Sequence, residues 1–253
     1  MFIDTHCHLI NDGHVIPDVD DVLARATAAG VDTVICASAD PADVTIAPRV
    51  AASHDNVFCT VGIHPEYAGA DARAIITPDI LTHPRVVGVG EIGLDYHYGR
   101  DTRDVQIQLF ETQLEIAAVA HMPVAIHTRD ADEDTMAILG HADVTGVLHC
   151  FTGSWELART MLDRGFYISA SGIITFKNAD AIRDTFARVP LDRIVIETDS
   201  PYCAPVPHRG SPCEPAYVVE TARVLAAVHG IDVAELAPIL EQNTGRLYPK
   251  ILA

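Results

Sequence analysis

The sequence predicts a (β/α)8 barrel that forms one domain over residues 1–253. Short β-branched runs alternate with helix-like stretches, and eight such runs fit into a chain of 253 residues. Hydrophobic residues make up 49% of the chain, which is enough for a large buried core. The alternative is a doubly wound open sheet. No Gly-x-Gly-x-x-Gly follows the first run, so the barrel is favoured.

The eight runs predict the strands of the barrel. They lie at residues 2–4, 33–36, 57–61, 86–89, 124–126, 146–148, 167–169 and 194–196. Runs of this composition are typical of parallel strands that are buried on both faces. Helical spacing of apolar residues predicts helices at 19–29, 104–120, 155–162 and 215–228. Gly30, Gly165 and Gly230 follow three of them as stop signals.

Residues 201–215 depart from this alternation because they contain five prolines. Prolines at this density exclude a helix or a central strand and keep a loop stiff. The loop follows the eighth strand, at the end of the barrel where active sites form. Tyr202, His208, Arg209 and Glu214 are concentrated in it, so we expect it to form one wall of a pocket.

The charge of the chain argues against general binding to long nucleic acid. There are 17 Lys and Arg residues against 35 Asp and Glu residues, a net charge of −18. A protein that binds nucleic acid through its general surface normally has the opposite balance. Any such substrate would have to be held locally, by a few basic groups and by metal.

Several features predict a cytoplasmic protein. The amino terminus lacks the basic segment and apolar core of a signal peptide, and no apolar run reaches the ~18 residues of a membrane span. The six cysteines show no Cys-x-x-Cys pair, so we expect free thiols and no disulfide framework. No obligate protein partner is implied, and we expect a monomer or a weak homo-oligomer.

Six side chains of metal-ligand type lie at the predicted carboxyl ends of five strands. His6 and His8 lie two residues apart after the first strand, where both imidazoles point to the same side. The others are placed at the ends of four later strands: Glu91 after the fourth, His127 at the fifth, His149 at the sixth and Asp199 after the eighth. Barrel closure brings these ends together, so we expect one site. Cys7 and Cys150, each adjacent to a ligand, should point away from it.

Imidazoles and carboxylates without a thiolate pair suit zinc, manganese or a similar divalent ion. Six ligands are too many for one tetrahedral catalytic zinc but suit two ions roughly 3.5–4 Å apart. Glu91 is the natural bridge between them. A carboxylated lysine is excluded, because the only lysines, Lys177 and Lys250, do not end the fourth or fifth strand.

Seven ordered motifs resemble the TatD family of metal-dependent deoxyribonucleases, within the amidohydrolase-like barrels. They are FIDTHCHL at 2–9, VGIHP at 61–65, GEIGLDY at 90–96, PVAIHTRDA at 123–131, LHCFTG at 148–153, GIITFK at 172–177 and ETDSPY at 197–202. One position departs from the family pattern. Cys213 precedes Glu214 where the family usually has Asn, and a thiol hydrogen-bonds only weakly.

The resemblance implies a division of the ligands between two ions. His6, His8 and Glu91 resemble the ligands of one, with Asp199 close by, and Glu91, His127 and His149 resemble those of the other. His64 matches a family histidine of the pocket that is not itself a ligand. Candidate substrate contacts are His64, Arg129, Lys177 and Arg209. The guanidinium of Arg209 can bind a phosphate through two parallel N–H donors.

The function expected from this resemblance is hydrolysis of DNA or short nucleotides by a hydroxide that two divalent ions (Zn, Mg or Mn) activate. Glu91 and Asp199 are the expected catalytic residues, with Asp199 as general base. The acidic charge favours exonuclease-like action on single-stranded or frayed ends, and the resemblance to the family implies the 3'-5' direction. Two alternatives remain: hydrolysis of a lactone, amide, phosphotriester or aminoacyl-tRNA ester, and a non-catalytic metal-binding protein.

Overall fold

Eight parallel strands form the central sheet of the computed structural model, which describes residues 1–11 and 13–252. They are β1 (Phe2–Cys7), β4 (Val31–Ala37), β5 (Val57–Thr60), β6 (Val86–Asp95), β7 (Val124–Arg129), β8 (Gly146–Leu148), β9 (Tyr167–Ala170) and β10 (Ile194–Ile196). Each pairs with the next in chain order from β1 to β10. A two-stranded antiparallel ribbon, β2 (Ile10–Asn11) and β3 (His14–Val15), follows β1.

The sheet closes where β1 meets the segment after β10. The Asp199 amide donates to the His6 carbonyl at 2.9 Å, and the His8 amide donates to the Ser200 carbonyl at 2.8 Å. Cys7 and Ser200 form a parallel bridge. The predicted barrel is therefore confirmed, and its closing seam carries three of the predicted ligands.

Helices lie between the strands and after the last of them. Their bounds are α1 (Val19–Ala28), α2 (Asp43–Ser53), α3 (Ala72–Ile75), α4 (Pro78–Leu81), α5 (Arg103–Val119), α6 (Asp132–His141), α7 (Trp155–Asp163), α8 (Asp180–Phe186), α9 (Val218–His229) and α10 (Val233–Leu247). The four predicted helices correspond to α1, α5, α7 and α9, although 215–217 is a 3-10 turn. Among the described residues, no helix is both long and apolar enough to cross a membrane.

The amino-terminal half of the barrel interior is filled from the carboxy-terminal part of the chain. Leu247 and Tyr248 are buried against one inward-facing apolar side chain from each of six strands: Ile35, Val87, Ala125, Val147, Tyr167 and Val195. The Lys250 ammonium donates to the carbonyl of Leu81 and to that of Val86, the first residue of β6. This end of the barrel is therefore a packed floor.

Several predicted strand ends are too early. His6 was expected after the first strand, but β1 continues to Cys7 and contains it. His127 was expected to end the fifth strand, but β7 continues to Arg129.

Glu91 was expected after the fourth strand, but β6 continues to Asp95 and contains it. The strand continues because Ile92 to Asp95 pair with Ile126 to Arg129 of β7. Residues 197–214, all described, contain neither helix nor strand apart from the bridge at Ser200, as the prolines predicted.

Candidate metal centre

Glu91 lies at the middle of the predicted ligand set and is almost fully buried. The pairing of β6 with β7 shifts register between Val89 and Ile92, an interval that contains Glu91. An irregularity of this kind re-aims a side chain within a strand. It explains how a residue inside β6 points into the site.

The two carboxylate oxygens of Glu91 face different imidazoles. Oε2 lies 3.3 Å from His6 Nε2 and 3.6 Å from His8 Nε2. Oε1 lies 2.8 Å from His127 Nδ1 and 2.8 Å from His149 Nε2. The carboxylate thus separates the four histidines into two pairs, one on each oxygen.

Asp199 joins the first pair, because its Oδ1 lies 3.6 Å from His8 Nε2. It follows β10 with a left-handed backbone (φ +57°). One ligand atom each from His6, His149 and Asp199 lies within 4.8 Å of the other two. All six predicted ligands therefore meet at one place.

The spacing and chemistry of these atoms fit divalent ions. Two nitrogen or oxygen ligands about 2.0–2.1 Å from one ion lie roughly 2.8–3.4 Å apart in octahedral or tetrahedral geometry. The distances from Glu91 to the four predicted histidine ligands are 2.8 to 3.6 Å, close to this range. His6 Nε2 is buried and has no hydrogen-bond partner among the described residues, despite its proximity to Glu91. Burial of a polar atom without a partner costs free energy, so a bound ion would account for it.

Two further carboxylates orient the histidines of the second pair. Asp95 Oδ2 lies 3.1 Å from His127 Nε2, so Nδ1 faces Glu91. Glu197 Oε1 lies 3.2 Å from His149 Nδ1 and also accepts from the Cys150 amide at 2.6 Å. Carboxylates behind ligating histidines fix ring orientation and raise ligand basicity. The sequence prediction gave these two residues no role, although both lie inside quoted motifs.

The backbone beneath His127 requires glycine at position 93. Gly93 has φ +142°, and a Cβ there would lie 1.9 Å from the His127 carbonyl oxygen. A larger residue would push β6 away from β7 at the level of the site. Gly93 therefore allows the two ligand-bearing strands to approach.

The charges of the site are strongly coupled. Burial tends to raise the pKa of Glu91, but the charge of His149 and hydrogen bonds from the surrounding histidines hold it well below its usual range. Burial tends to lower the pKa of His149, yet the charges of Glu91 and Glu197 raise it well above its usual range. Without an ion, the charge of His149 offsets part of the charge of the buried carboxylates. A bound divalent ion would take over that role.

His64 lies at the wall of the site. Its Nε2 is 3.7 Å from Glu91 Oε1, and its ring meets His127 edge-on. Burial lowers its pKa to about 4, so the ring is neutral near pH 7. Since its Nδ1 accepts from the Glu66 amide, its proton lies on Nε2, which can donate into the pocket.

The three predicted cationic contacts lie in different places. Arg129 lines the pocket, with its guanidinium 4.8 Å from the centre of the Tyr98 ring. Lys177 and Arg209 are exposed and are not among the described residues that line it. Arg209 stacks on Phe176 at 3.9 Å. The structure therefore brings Arg129, but not the other two cations, to the pocket.

The centre opens into a pocket of about 970 Å³. Tyr202 and Cys203 line it, so the proline-rich loop forms part of its wall. The other residues named for this loop, His208, Arg209 and Glu214, are not among the described lining residues. Among the described lining residues, Arg129 is the one Lys or Arg side chain. Seven carboxylate side chains line the same space: Asp40, Asp43, Glu66, Glu91, Asp95, Asp101 and Asp199.

The prediction for the cysteines beside the ligands is half right. Cys7 is fully buried in the core, away from the pocket. Cys150 lines the pocket, so its predicted orientation is wrong. Its backbone is left-handed (φ +42°), and side chains do not alternate through such a turn as they do in a strand. All six cysteines are free, as predicted.

Comparisons with known proteins agree with the fold and the motifs. Over 258 residues the chain is 42% identical to the uncharacterized metal-dependent hydrolase YcfH of Escherichia coli strain K12, covering 98% of this chain and 96% of that protein. It is 33% identical over 251 residues to the 3'-5' ssDNA/RNA exonuclease TatD of Citrobacter rodentium, covering 94% and 95%.

Solved structures give the same result. The crystal structure of YjjV, a TatD homologue from Escherichia coli K12, superposes with a TM-score of 0.89 at 28% identity, covering 98% of both chains. A family model described as TatD related DNase matches residues 3–249. The chain therefore belongs to the TatD family of metal-dependent hydrolases.

Proposed function

We propose that this protein is a TatD-type deoxyribonuclease that hydrolyses phosphodiester bonds with two divalent ions. The observation that carries the proposal is the division of four histidines between the two oxygens of Glu91, beside an open pocket. A carboxylate shared in this way suits a two-ion site of the kind found in phosphatases and nucleases. The names of the family and of the Citrobacter rodentium exonuclease support DNA or short nucleotides as the substrate class.

In this proposal, each ion would have its own ligands and Glu91 would be shared between them. His6 and His8, with Asp199, would hold one ion, and His127 and His149 would hold the other. Zinc, magnesium and manganese are the candidates, since the donors are nitrogen and oxygen. When bound, the ions polarise the phosphate and lower the pKa of the attacking water.

Asp199 is proposed to take the proton from that water. It is the one proposed ligand besides Glu91 with a carboxylate, and its side chain faces the pocket. Its pKa is held below its usual range because the hydrogen bond from His8 and the charges of nearby histidines outweigh the effect of burial. An ionised carboxylate in this position can accept a proton at neutral pH.

The remaining pocket residues are proposed to position the substrate. The Nε2–H of His64 can donate to a phosphate oxygen, and Arg129 can neutralise a charge that develops on the leaving oxygen. Lys177 and Arg209 lie outside the pocket lining and remain candidates only for phosphates further along a strand.

The charge of the pocket favours action at strand ends. Seven lining carboxylates against one arginine disfavour a long duplex, whose many phosphates would meet them. A single-stranded or frayed end places few phosphates in the pocket. We therefore propose exonuclease-like action on such ends, and the name of the Citrobacter rodentium exonuclease supports the 3'-5' direction.

The experiment is a ladder assay on 5'-labelled single strands with free or blocked 3' ends, with Mg2+, Mn2+ and Zn2+ supplied separately. Stepwise shortening from the free 3' end is expected, together with protection by a blocked 3' end. Equal cutting of circular and linear DNA would remove the exonuclease mode. Absence of cleavage with every metal would remove the nuclease function.

A second candidate function is hydrolysis of a neutral or weakly charged ester on the same site. The single lining arginine favours it, because such a substrate needs little positive charge. A panel of lactones, phosphotriesters and carboxylic esters at matched metal loading discriminates the two. The substrate with the highest kcat/KM decides between them.

A further inference from the structure

Two cysteines from different loops meet beside Asp199. Cys150 follows β8 and Cys203 follows β10, and their sulfurs lie 3.9 Å apart. Cys203 Sγ also lies 3.5 Å from Asp199 Oδ2. The ligand atoms of these three residues are all within 4.8 Å of one another. We call them the thiol cluster.

Two of the three distances in the thiol cluster match those around a tetrahedral ion, and the third, from Cys150 to Asp199, is within 4.8 Å. With metal–sulfur bonds of about 2.3 Å and a metal–oxygen bond of about 2.0 Å, two sulfurs lie ~3.8 Å apart and sulfur and oxygen lie ~3.5 Å apart. The observed separations are 3.9 and 3.5 Å. A disulfide would require the sulfurs to approach to about 2.05 Å. The cluster is thus spaced for chelation without any large movement.

The backbone holds both thiols in these positions. Cys150 and Cys203 have left-handed conformations, with φ of +42° and +52°. The Cys150 amide is fixed by Glu197, and the Tyr202 amide closes a turn onto the Asp199 carbonyl at 2.8 Å. Both cysteines are only half-buried and line the pocket, so an ion can reach them.

We propose that Cys150, Cys203 and Asp199 form a third ion site, selective for thiophilic divalent ions of the zinc and cadmium class. Thiolates select such ions, whereas magnesium and manganese prefer oxygen ligands. The site is distinct from the centre around Glu91, but it uses Asp199, the proposed base. This proposal rests on the proposed function for one consequence only: an ion in the thiol cluster occupies Asp199 and inhibits hydrolysis.

The test is a cadmium titration of the full-length protein loaded with Mn2+. We expect the ultraviolet charge-transfer band of a cadmium thiolate to saturate at one ion per chain. Manganese should remain bound, as metal analysis of the desalted protein would show. Hydrolysis should fall in parallel with the growth of the band.

Two variants assign the site. Cys203→Ser should lose the band and make the concentration of Cd2+ for half-inhibition at least tenfold higher, relative to its own activity in Mn2+. Cys213→Ser is the matched control. Its thiol lies in the same loop but faces the carbonyls of Thr198 and Glu214, so the band should remain.

Several results would overturn the site. They are no band in the unsubstituted protein, a band that survives Cys203→Ser, or saturation only as Mn2+ is released. Loss of two hydrogens in the intact mass without added metal would show a disulfide in its place. If the band appears as expected but no substrate is hydrolysed, the ion site stands and the proposed function fails.

Discussion

Asp95 holds His127 from the side opposite to Glu91, with its Oδ2 3.1 Å from the Nε2 of the ring. Glu91 Oε1 lies 2.8 Å from Nδ1 of the same ring. The imidazole is thereby fixed in one orientation, with Nδ1 directed at the centre. The orientation of a predicted ligand depends on a carboxylate that is not itself a predicted ligand.

Asp95→Asn should weaken metal binding. An amide is a poorer partner for the imidazole and can turn its NH2 toward Nε2, so we expect affinity to fall by roughly 10–100-fold. Calorimetric titration of the metal-free protein measures this. Asp101→Asn, which removes an exposed carboxylate from the same pocket, is the control and should bind nearly as the unsubstituted protein does. Equal affinity in both variants would remove the positioning role of Asp95.

Asp199→Asn should abolish turnover while much of the metal stays bound. Glu91 and the four histidines keep their ligand atoms, but the proton acceptor is lost, so kcat should fall by about 100- to 10,000-fold. Metal content and kcat are measured on the same sample. Glu66→Gln changes an exposed carboxylate of the pocket wall and should leave most of the activity. Full activity in Asp199→Asn would exclude Asp199 as the base.

Removal of metal should destabilise the folded protein. Without an ion, protonated histidine offsets only part of the negative charge of the buried carboxylates. Chelation should therefore remove the stability that metal binding contributes. At a free metal concentration 100 times Kd, one ion contributes about 2.7 kcal/mol. Thermal unfolding with and without a chelator measures the change in Tm. An unchanged Tm would contradict a bound ion in this site.

Asp4 should make stability fall as pH rises. It is fully buried, and burial raises its pKa to about 8 despite hydrogen bonds from the amide and hydroxyl of Thr198. Its folded-state pKa lies above the unfolded value of 3.8, so the folded state retains a proton that the unfolded state loses. Stability from this group therefore declines between pH ~4 and ~8, at most by about 1.4 kcal/mol per pH unit.

Asp4→Asn should reduce that decline, as urea unfolding at several pH values would show. Asp184→Asn, an exposed change on α8, should keep the slope of the unsubstituted protein. Identical slopes for all three proteins would contradict a proton on buried Asp4.

Gly93→Ala should destabilise the barrel by at least ~2 kcal/mol. The new Cβ would lie 1.9 Å from the His127 carbonyl oxygen, and φ +142° is strained for any side chain. Gly140→Ala is the matched control, since a Cβ there meets no atom within 4 Å and the position is helical. Gly140→Ala should be neutral or slightly stabilising. Chemical denaturation of both variants provides the comparison.

The sequence predicted the barrel because its strands are short β-branched runs, a pattern that burial on both faces imposes. The predictions from sequence were less accurate where pairing with a neighbouring strand determines where a strand ends. Glu91 was placed after its strand because the valine-rich run stops at Val89. Pairing with β7 extends the strand beyond that run. Helix α10 was not predicted, and Pro238 lies inside it.

The convergence of the six candidate ligands was predictable because strand ends meet in a parallel barrel. The orienting contacts of Asp95 and Glu197 were not, since they depend on which ring nitrogen faces which carboxylate. The position of Cys150 was mispredicted for a similar reason. A single left-handed residue after β8 turns its side chain, and no local pattern in the sequence marks that residue.

The packed floor links the order of folding to the assembly of the metal centre. Tyr248 fills the barrel beneath strands that include Ile35, more than two hundred residues earlier in the chain. Such distant contacts form late, because the cost of closing a long loop precedes the gain from burial. We therefore expect water to occupy this part of the barrel interior until the segment that contains Tyr248 docks. On this view, His6 and His8 become rigid only when the two ends of the chain are both in place.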